Sequence, residues 1–353
     1  MRFAVLPVVL FAAACANDAG INYDKGDPRV IADGAIKGRV CDPTGRTWLA
    51  DAQAYVNVVN DGVIVDTKTA FSDLDGYWTI DGLPGERDYT YHVQYGPDEL
   101  ETDTVWIGNG ETVELDEPDC FDPLELDVAI VLGDYDDFDL VLNEMGFANY
   151  FKVNGLDENE VAAFLNDPAE LAKYDIIFFN GGFVEEGVIY DTEDAGNSAP
   201  ATRVQNIVDY VNNGGSIYAS DWAYDVVEIG WPERADFVGD DTVPGDAQKG
   251  DYENVSAAIS DTALAEHLGT SYLDVTYDLP VWPPVVDVAD SVSVHVAGNV
   301  PYSEGLSDYQ LTAAPLLYSF NSGDGKVVFS TFRVARNAND DIVATLQYMM
   351  YRL

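Results

Sequence analysis

Val208-Asp209-Tyr210-Val211-Asn212-Asn213-Gly214-Gly215-Ser216-Ile217-Tyr218-Ala219-Ser220-Asp221-Trp222-Ala223 decides how the larger part of this chain is read. It begins inside a helical pattern that opens near Thr202 and sets Val204, Ile207, Val208 and Val211 on one face. Asn213-Gly214-Gly215 stops that helix. Ser216 to Ser220 then reads as a short strand. The same grammar extends in both directions. Upstream, Leu126 to Leu132 is a nearly continuous apolar run, as in a strand buried on both faces. Phe138 to Met145 reads as a helix, Tyr150 to Val153 as a strand, and Asp157 as the cap of a helix ending at Leu165. Tyr174 to Gly182 is a further strand closed by glycines. Downstream, Ser293–Val296, Pro315–Phe320 and Lys326–Phe332 read as strands, and Asp340 to Tyr351 as the last helix. Alternation of strand and helix predicts an α/β unit over residues 121–353, built on a doubly wound, flavodoxin-like parallel sheet.

Residues 35–120 have a different texture. Short alternating runs at Ala35–Val40, Ala54–Val59, Tyr77–Ile80, Tyr89–Tyr95 and Thr112–Leu115 are separated by Gly, Pro and Asp turns. That pattern predicts an all-β sandwich. Asp116-Glu117-Pro118-Asp119-Cys120-Phe121-Asp122-Pro123 reads as a stiff join between the two units.

The 353 residues carry 17 Lys plus Arg against 63 Asp plus Glu, a formal net charge of −46. No Lys or Arg occurs between Arg87 and Lys152. Such a charge excludes nucleic acid as a partner, because nothing offsets phosphate repulsion. The apolar fraction of 47% is too high for a disordered acidic chain. The acidity therefore reads as a solvated surface suited to salt.

Arg2 followed by the apolar run Phe3–Ala14 reads as a secretory signal over residues 1–14, too short to span a bilayer. It closes on Ala12-Ala13-Ala14-Cys15, which resembles the lipobox of bacterial lipoproteins, with Ala12 where that family prefers Leu. The resemblance implies a lipid on Cys15 and, with Ala16 rather than Asp following it, an outer-membrane or cell-surface address. Residues 15–34 then form the anchor and a polar tether. With Cys15 committed to lipid, Cys41 and Cys120 are the two thiols left in an oxidising compartment and are expected to pair. His92, His267 and His295 are scattered and read as structural. No metal and no cofactor is expected.

Gly38-Arg39-Val40, Pro43-Thr44-Gly45, Ala54-Tyr55-Val56, Ser72-Asp73-Leu74-Asp75-Gly76-Tyr77-Trp78 and Gly82-Leu83-Pro84 resemble the carboxypeptidase regulatory-like domain. That family is a prealbumin-like sandwich, mostly structural or adhesive. Asp73 and Asp75 lack the rest of a calcium loop and read as turn chemistry.

The second unit resembles the class I glutamine amidotransferase-like fold. The likeness lies in Tyr174–Gly182, in the opening stretch Val208–Ala223, and in Gly325-Lys326-Val327-Val328-Phe329-Ser330-Thr331-Phe332-Arg333. In that family a Gly-Gly turn forms the oxyanion side, a Gly-x-Cys-x-Gly elbow carries the nucleophile, and a His follows the late strand. Here Asp221 stands in place of the Cys and Arg333 in place of the His. No Cys lies beyond residue 120, so thiolate chemistry is excluded from this unit. The candidate groove is Gly181, Gly182, Ser220, Asp221, Trp222 and Arg333, with no catalytic residue assigned. Asp221 reads first as a helix cap before Trp222, and otherwise as a binding or catalytic group. Trp222, Tyr224, Trp231 and Trp282 read as core or lid packing, or alternatively as a sugar-binding surface. Gly239 to Asp251 reads as an exposed loop. The expectation is a non-enzymatic envelope lipoprotein, membrane-bound through its lipid, that engages a glycan, a cation or an envelope protein. The alternative is a hydrolase or amidase with rearranged residues around Ser220 and Asp221.

Overall fold

The computed structural model describes residues 31–350, apart from 42–47, 51, 61, 96–97, 121–125, 146, 148, 195, 240–242 and 337–338. The leader, Cys15, nearly all of the tether and the Pro43-Thr44-Gly45 turn lie outside the described residues. No described helix is long and apolar enough to cross a membrane.

The described residues of the first unit form eight strands: β1 (Asp33–Cys41), β2 (Gln53–Asn60), β3 (Val63–Phe71), β4 (Tyr77–Pro84), β5 (Arg87–Tyr95), β6 (Asp98–Ile107), β7 (Thr112–Glu114) and β8 (Asp119–Cys120). They form two four-stranded sheets, one ordered β4-β1-β7 with β8 also on β1, the other ordered β3-β2-β5-β6. Alternate residues Ile36, Val56, Trp78, Ile80, Tyr91 and Val93 point inward and are buried. Gly38 of β1 is required by this core, because a Cβ there would collide with the indole of Trp78. The Asp73 carboxylate accepts the N–H groups of Asp75 at 3.0 Å and Tyr77 at 2.9 Å, which closes the turn into β4. Cys41 and Cys120 face each other across β1 and β8 and form a disulfide. It closes a loop of sequence separation 79, for which chain entropy gives roughly 4 kcal/mol.

The second unit contains β9 (Val128–Val131), α1 (Phe138–Glu144), β10 (Tyr150–Val153), α2 (Glu158–Leu165), α3 (Pro168–Leu171), β11 (Ile176–Phe179), α4 (Ala199–Asn212) and β12 (Ser216–Ser220). A 3-10 turn at Asp221–Ala223 leads to α5 (Asp225–Gly230). Then follow β13 (Ala235–Phe237), β14 (Lys249–Gly250), β15 (Glu253–Ile259), α6 (Thr262–Leu268), β16 (Tyr272–Tyr277), β17 (Val285–Val288), β18 (Ser293–Glu304), β19 (Ser307–Ser322), β20 (Gly325–Ser330) and α7 (Asp340–Met350).

The expected pairing of an all-β sandwich with a flavodoxin-like parallel sheet is corrected here. The second unit is itself strand-rich and rests on one ten-stranded mixed sheet, ordered β10-β9-β11-β12-β20-β19-β18-β15-β16, with β14 on β18. From β10 to β20 neighbours run parallel; from β20 to β16 every pairing is antiparallel. The physical reason is connection length. Parallel neighbours need a crossover, which α1, α2 and α4 supply in the first half. In the second half Gly305-Leu306 joins β18 to β19, and Gly323-Asp324 joins β19 to β20. Both turns place a glycine at positive φ, 63° and 59°, and turns this tight fix antiparallel strands. The 239–251 segment also departs from an exposed loop: Ala247 and Gly250 are buried, and β14 pairs with β18.

Candidate functional site

The parallel half directs the carboxyl ends of β9, β11, β12 and β20 to one edge, where α/β sheets place ligands. Asp221 follows β12 directly. It is 1% exposed and has φ +52°, one of three non-glycine residues with positive φ among the described residues. A strand turning through a left-handed residue into a helix is the geometry of a nucleophile elbow, and strain at such a residue marks functional positions. The Asp221 carboxylate accepts the Trp222 N–H, as a cap would, but from inside the turn. Ser220 occupies the N-cap position with no side-chain cap, and Asp221 sits inside the turn.

Arg333 follows β20 and meets this elbow. Its Nε lies 3.8 Å from Asp221 Oδ2, its Nη2 is ion-paired with Asp278, and its Nη1 donates to the Tyr135 carbonyl at 3.3 Å. Burial holds the Asp221 carboxyl well above the usual carboxylate range; Arg333 pulls it down and Asp136 pushes it further up. Burial prevails because the guanidinium is 3.8 Å away and shared with Asp278. Asp136, 2% exposed, accepts from the backbone N–H groups of Val334 at 2.7 Å and of Ala335 and Arg336 at 3.0 Å. Burial raises its carboxyl above the ordinary value against those N–H groups. Asn180 Nδ2 donates to the Asp136 carbonyl at 3.0 Å.

The glycines are packed rather than open. A Cβ on Gly181 would lie 2.9 Å from Asp221 Cβ and 3.0 Å from Trp222 N. Gly182 has φ +86°, and a Cβ there would lie 2.9 Å from the Tyr135 ring. The structure therefore brings Gly181, Gly182, Ser220, Asp221 and Arg333 together, with no room for a side chain at either glycine. Asn180 Oδ1, Ser220 Oγ and Asp221 Oδ1 are buried there without a hydrogen-bond partner. Trp222 is half-buried, with its ring edge-on to Tyr224 and Lys249 Nζ 5.8 Å from its centroid. Tyr224, Trp231 and Trp282 are interior, at 0%, 4% and 2% exposure, so they offer no sugar platform.

Tyr135, Asp136, Asn180 and Asp278 belong to the site and were not singled out from sequence. Three of them follow the carboxyl ends of buried strands, β9 and β11, which is the signal that could have found them. Asp278 follows an antiparallel strand, β16, and carries no such mark.

Behind the elbow, Glu185, Asp225 and Glu228 are buried together at 5%, 0% and 4% exposure. Burial, then the charges of Asp225 and Glu228, push Glu185 well above its ordinary value. Burial lifts Asp225 to about 6, against the pull of the Gly245 N–H and the neighbouring Glu228, Glu185 and Tyr224 side chains. No group of three or more His, Cys, Asp or Glu among the described residues is arranged to hold a metal ion. A cleft of ≈ 420 Å³, lined by Pro168, Tyr174, Asn206, Tyr210 and Gly214, opens at the amino ends of β11 and β12, away from Asp221.

One Ser–His–Asp chain exists elsewhere. His295 Nδ1 lies 2.8 Å from Asp261 Oδ2, and its Nε2 lies 2.8 Å from Ser319 Oγ. Asp261 also caps α6 through the N–H groups of Ala263 and Leu264 at 3.0 and 3.2 Å. Ser319 lies mid-strand between β18 and β20 at 8% exposure. It has no elbow to present it, so the chain is a strut that ties α6 to the sheet.

No protein-family model matches this chain, and no curated protein matches it. Among solved structures, a cytoplasmic protein of Salmonella typhimurium is similar over 63% of this chain and 98% of its own, at 18% identity and a TM-score of 0.39. A β-galactosidase of Rahnella sp. R3 is similar over 65% of this chain and 32% of its own, at 12% identity and a TM-score of 0.35. The major pilin subunit of Bacillus cereus is similar over 26% of this chain and 29% of its own, at 19% identity and a TM-score of 0.20. The neighbours include bacterial proteins with β-rich folds.

Proposed function

We propose that this chain is a non-enzymatic lipoprotein of the cell envelope. Cys15 anchors it to the membrane, a carboxypeptidase regulatory-like sandwich stands next to the anchor, and the second unit is a glutamine amidotransferase-like domain without the family's chemistry. The observation that supports a non-enzymatic role is Asp221, which holds the elbow position but is 1% exposed, pushed toward its neutral form by burial, and closed over by Arg333. A nucleophile needs access and a base within hydrogen-bond reach, and the hydrogen bonds of His295 go to Asp261 and Ser319 instead. With Tyr224, Trp231 and Trp282 interior, an envelope protein suits the chain better as a partner than a glycan does.

The positive φ of Asp221 supports a second reading, a hydrolase or amidase that opens on substrate binding. One assay separates the two. Purified chain is incubated with glutamine, peptide amides and activated esters, beside the Asp221→Asn chain. Equal background rates are expected. Turnover that disappears in Asp221→Asn would establish the enzyme and end the binding reading.

A further inference from the structure

Among the outer strands of the sandwich, one exposes a run of apolar side chains. β3 is an outer strand of the β3-β2-β5-β6 sheet, and no described residue pairs with its far side. Val63, Ile64, Val65 and Phe71 are 63%, 58%, 55% and 61% exposed. Successive side chains of a strand point to opposite faces, so apolar groups stand in solvent on both. Natural sheets blunt such edges with proline, short length, bulges, covering elements or charge. β3 is nine residues long without proline; it carries a bulge at Val65 and one charged pair, Asp66 and Lys68 at 2.9 Å, on the face shared with Val58 and Val56.

That pair is self-complementary. We propose that β3 pairs antiparallel with β3 of a second copy of this chain, about a two-fold axis at Thr67. In this register Asp66 opposes Lys68 of the second copy and Thr67 opposes its own copy, and the bulge at Val65 ends the regular pairing on the Val63 side. Each Asp66 then has a Lys68 beside it along its own strand and another across the axis, a square of alternating charge. The in-phase registers on either side, with the axis at Asp66 or at Lys68, oppose like charges, which directly facing strand positions disfavour. The charge pattern thus selects one register as well as one occupant. A single strand pair belongs to the small, transient class of interface, so the dimer is weak and depends on concentration.

The test is sedimentation equilibrium of the full chain carrying Cys15→Ser, whose remaining cysteines are the bonded Cys41 and Cys120. It is run at 0.3 M NaCl, where the Debye length is about 6 Å and repulsion between whole molecules is screened. A monomer–dimer equilibrium is expected. Asp66→Lys sets like charges across both symmetric positions and weakens association about tenfold or more. Asp66→Lys combined with Lys68→Asp restores it to within about threefold, since the square is rebuilt with its signs exchanged. Thr67→Cys places a thiol on the axis opposite its own copy and yields a cross-linked dimer on mild oxidation. Unchanged melting temperatures in the charge variants show that the fold is kept. The proposal is overturned by a monomer at all concentrations with no cross-link, by a dimer indifferent to Asp66→Lys, or by strong amide protection along the free edge of β3 in dilute monomer. That last result would mean the chain covers this edge itself.

Discussion

Replacing Asp225 with Asn should make the second unit gain stability relative to the native chain as pH rises. Asp225 is fully buried beside Glu185 and Glu228, and burial lifts its carboxyl from 3.8 to about 6. Below pH 3.8 the carboxyl is protonated in both folded and unfolded chains and carries no penalty. Between pH 3.8 and about 6 the unfolded chain releases the proton while the folded chain keeps it, so stability falls as pH rises. Above about 6 the penalty is complete. At ~1.36 kcal/mol per pH unit, the lift of about two units gives ~3 kcal/mol. Asn cannot ionise, and its side-chain oxygen can still accept the Gly245 N–H that Asp225 Oδ1 accepts at 3.0 Å. Removing the Asp225 charge also relieves Glu185, which acts in the same direction. Urea unfolding and thermal melts of both chains at pH 4, 6 and 8 measure the effect. The melting-temperature difference, variant minus native, should climb by roughly 6–12 °C from pH 4 to pH 8, taking ~2–4 °C per kcal/mol for a unit of this size. Repulsion among the other acids is common to both chains and cancels. A difference that stays constant across this pH range would refute the claim that these acids are held neutral in the fold.

Asp261 should show the opposite sign. Burial opposes its ionisation, but the His295 hydrogen bond and the N–H groups of Leu264 and Ala263 bring it down to about 2. Its contribution is therefore present above pH 3.8 and lost as pH falls toward 2, and Asp261→Asn should flatten the acid limb of the stability curve. Reducing the Cys41–Cys120 bond should cost the sandwich roughly 4 kcal/mol, read as a shift of the first unit's urea midpoint; alkylatable thiols at both positions in protein purified without reductant would contradict the bond. Melting temperature should rise from 0.01 to 1 M NaCl, as the Debye length falls from ~30 to ~3 Å and the −46 charge is screened. CaCl₂ at matched ionic strength should do no more, and a larger calcium response would point to a specific site. Cys15→Ser should move the protein from the membrane to the soluble fraction; a variant that stays as firmly bound as the native chain would sink the anchor proposal.

Local structure was legible where periodicity and caps agreed. Asp157 accepts from the N–H groups of Asn159 and Glu160 at the head of α2, as its place before an amphipathic run implies. Tyr150–Val153 and Ser216–Ser220 are strands with the expected bounds. The sheet's second half was misread although its signal was present. Only Asn321 to Gly325 lies between the runs Pro315–Phe320 and Lys326–Phe332, too few residues for a crossover helix, so those strands had to be antiparallel. At the candidate site, the Asp221 and Arg333 positions came from the resemblance to the amidotransferase-like fold, through the stretches Gly214–Ala223 and Gly325–Arg333. Asp278 did not, because it reaches Arg333 from the antiparallel half, whose placement beside β20 depends on tertiary packing rather than on any local pattern. The unpaired flank of β3 was equally hidden, since an alternating strand looks the same at the edge of a sheet as in its interior.

The bond between Cys41 and Cys120 also decides how the chain carries tension. A pull that enters before residue 41 and leaves after residue 120 passes through sulfur, not through the peptide between them. The strands β2 to β7 are thereby shunted out of the force path, and β1 alone is loaded ahead of the bridge. The sequence separation of 79 corresponds to about 270 Å of fully extended chain, and all of it is withheld as long as the bridge is intact. Under load the oxidised sandwich is a short, inextensible spacer, while the reduced one is a long elastic leash.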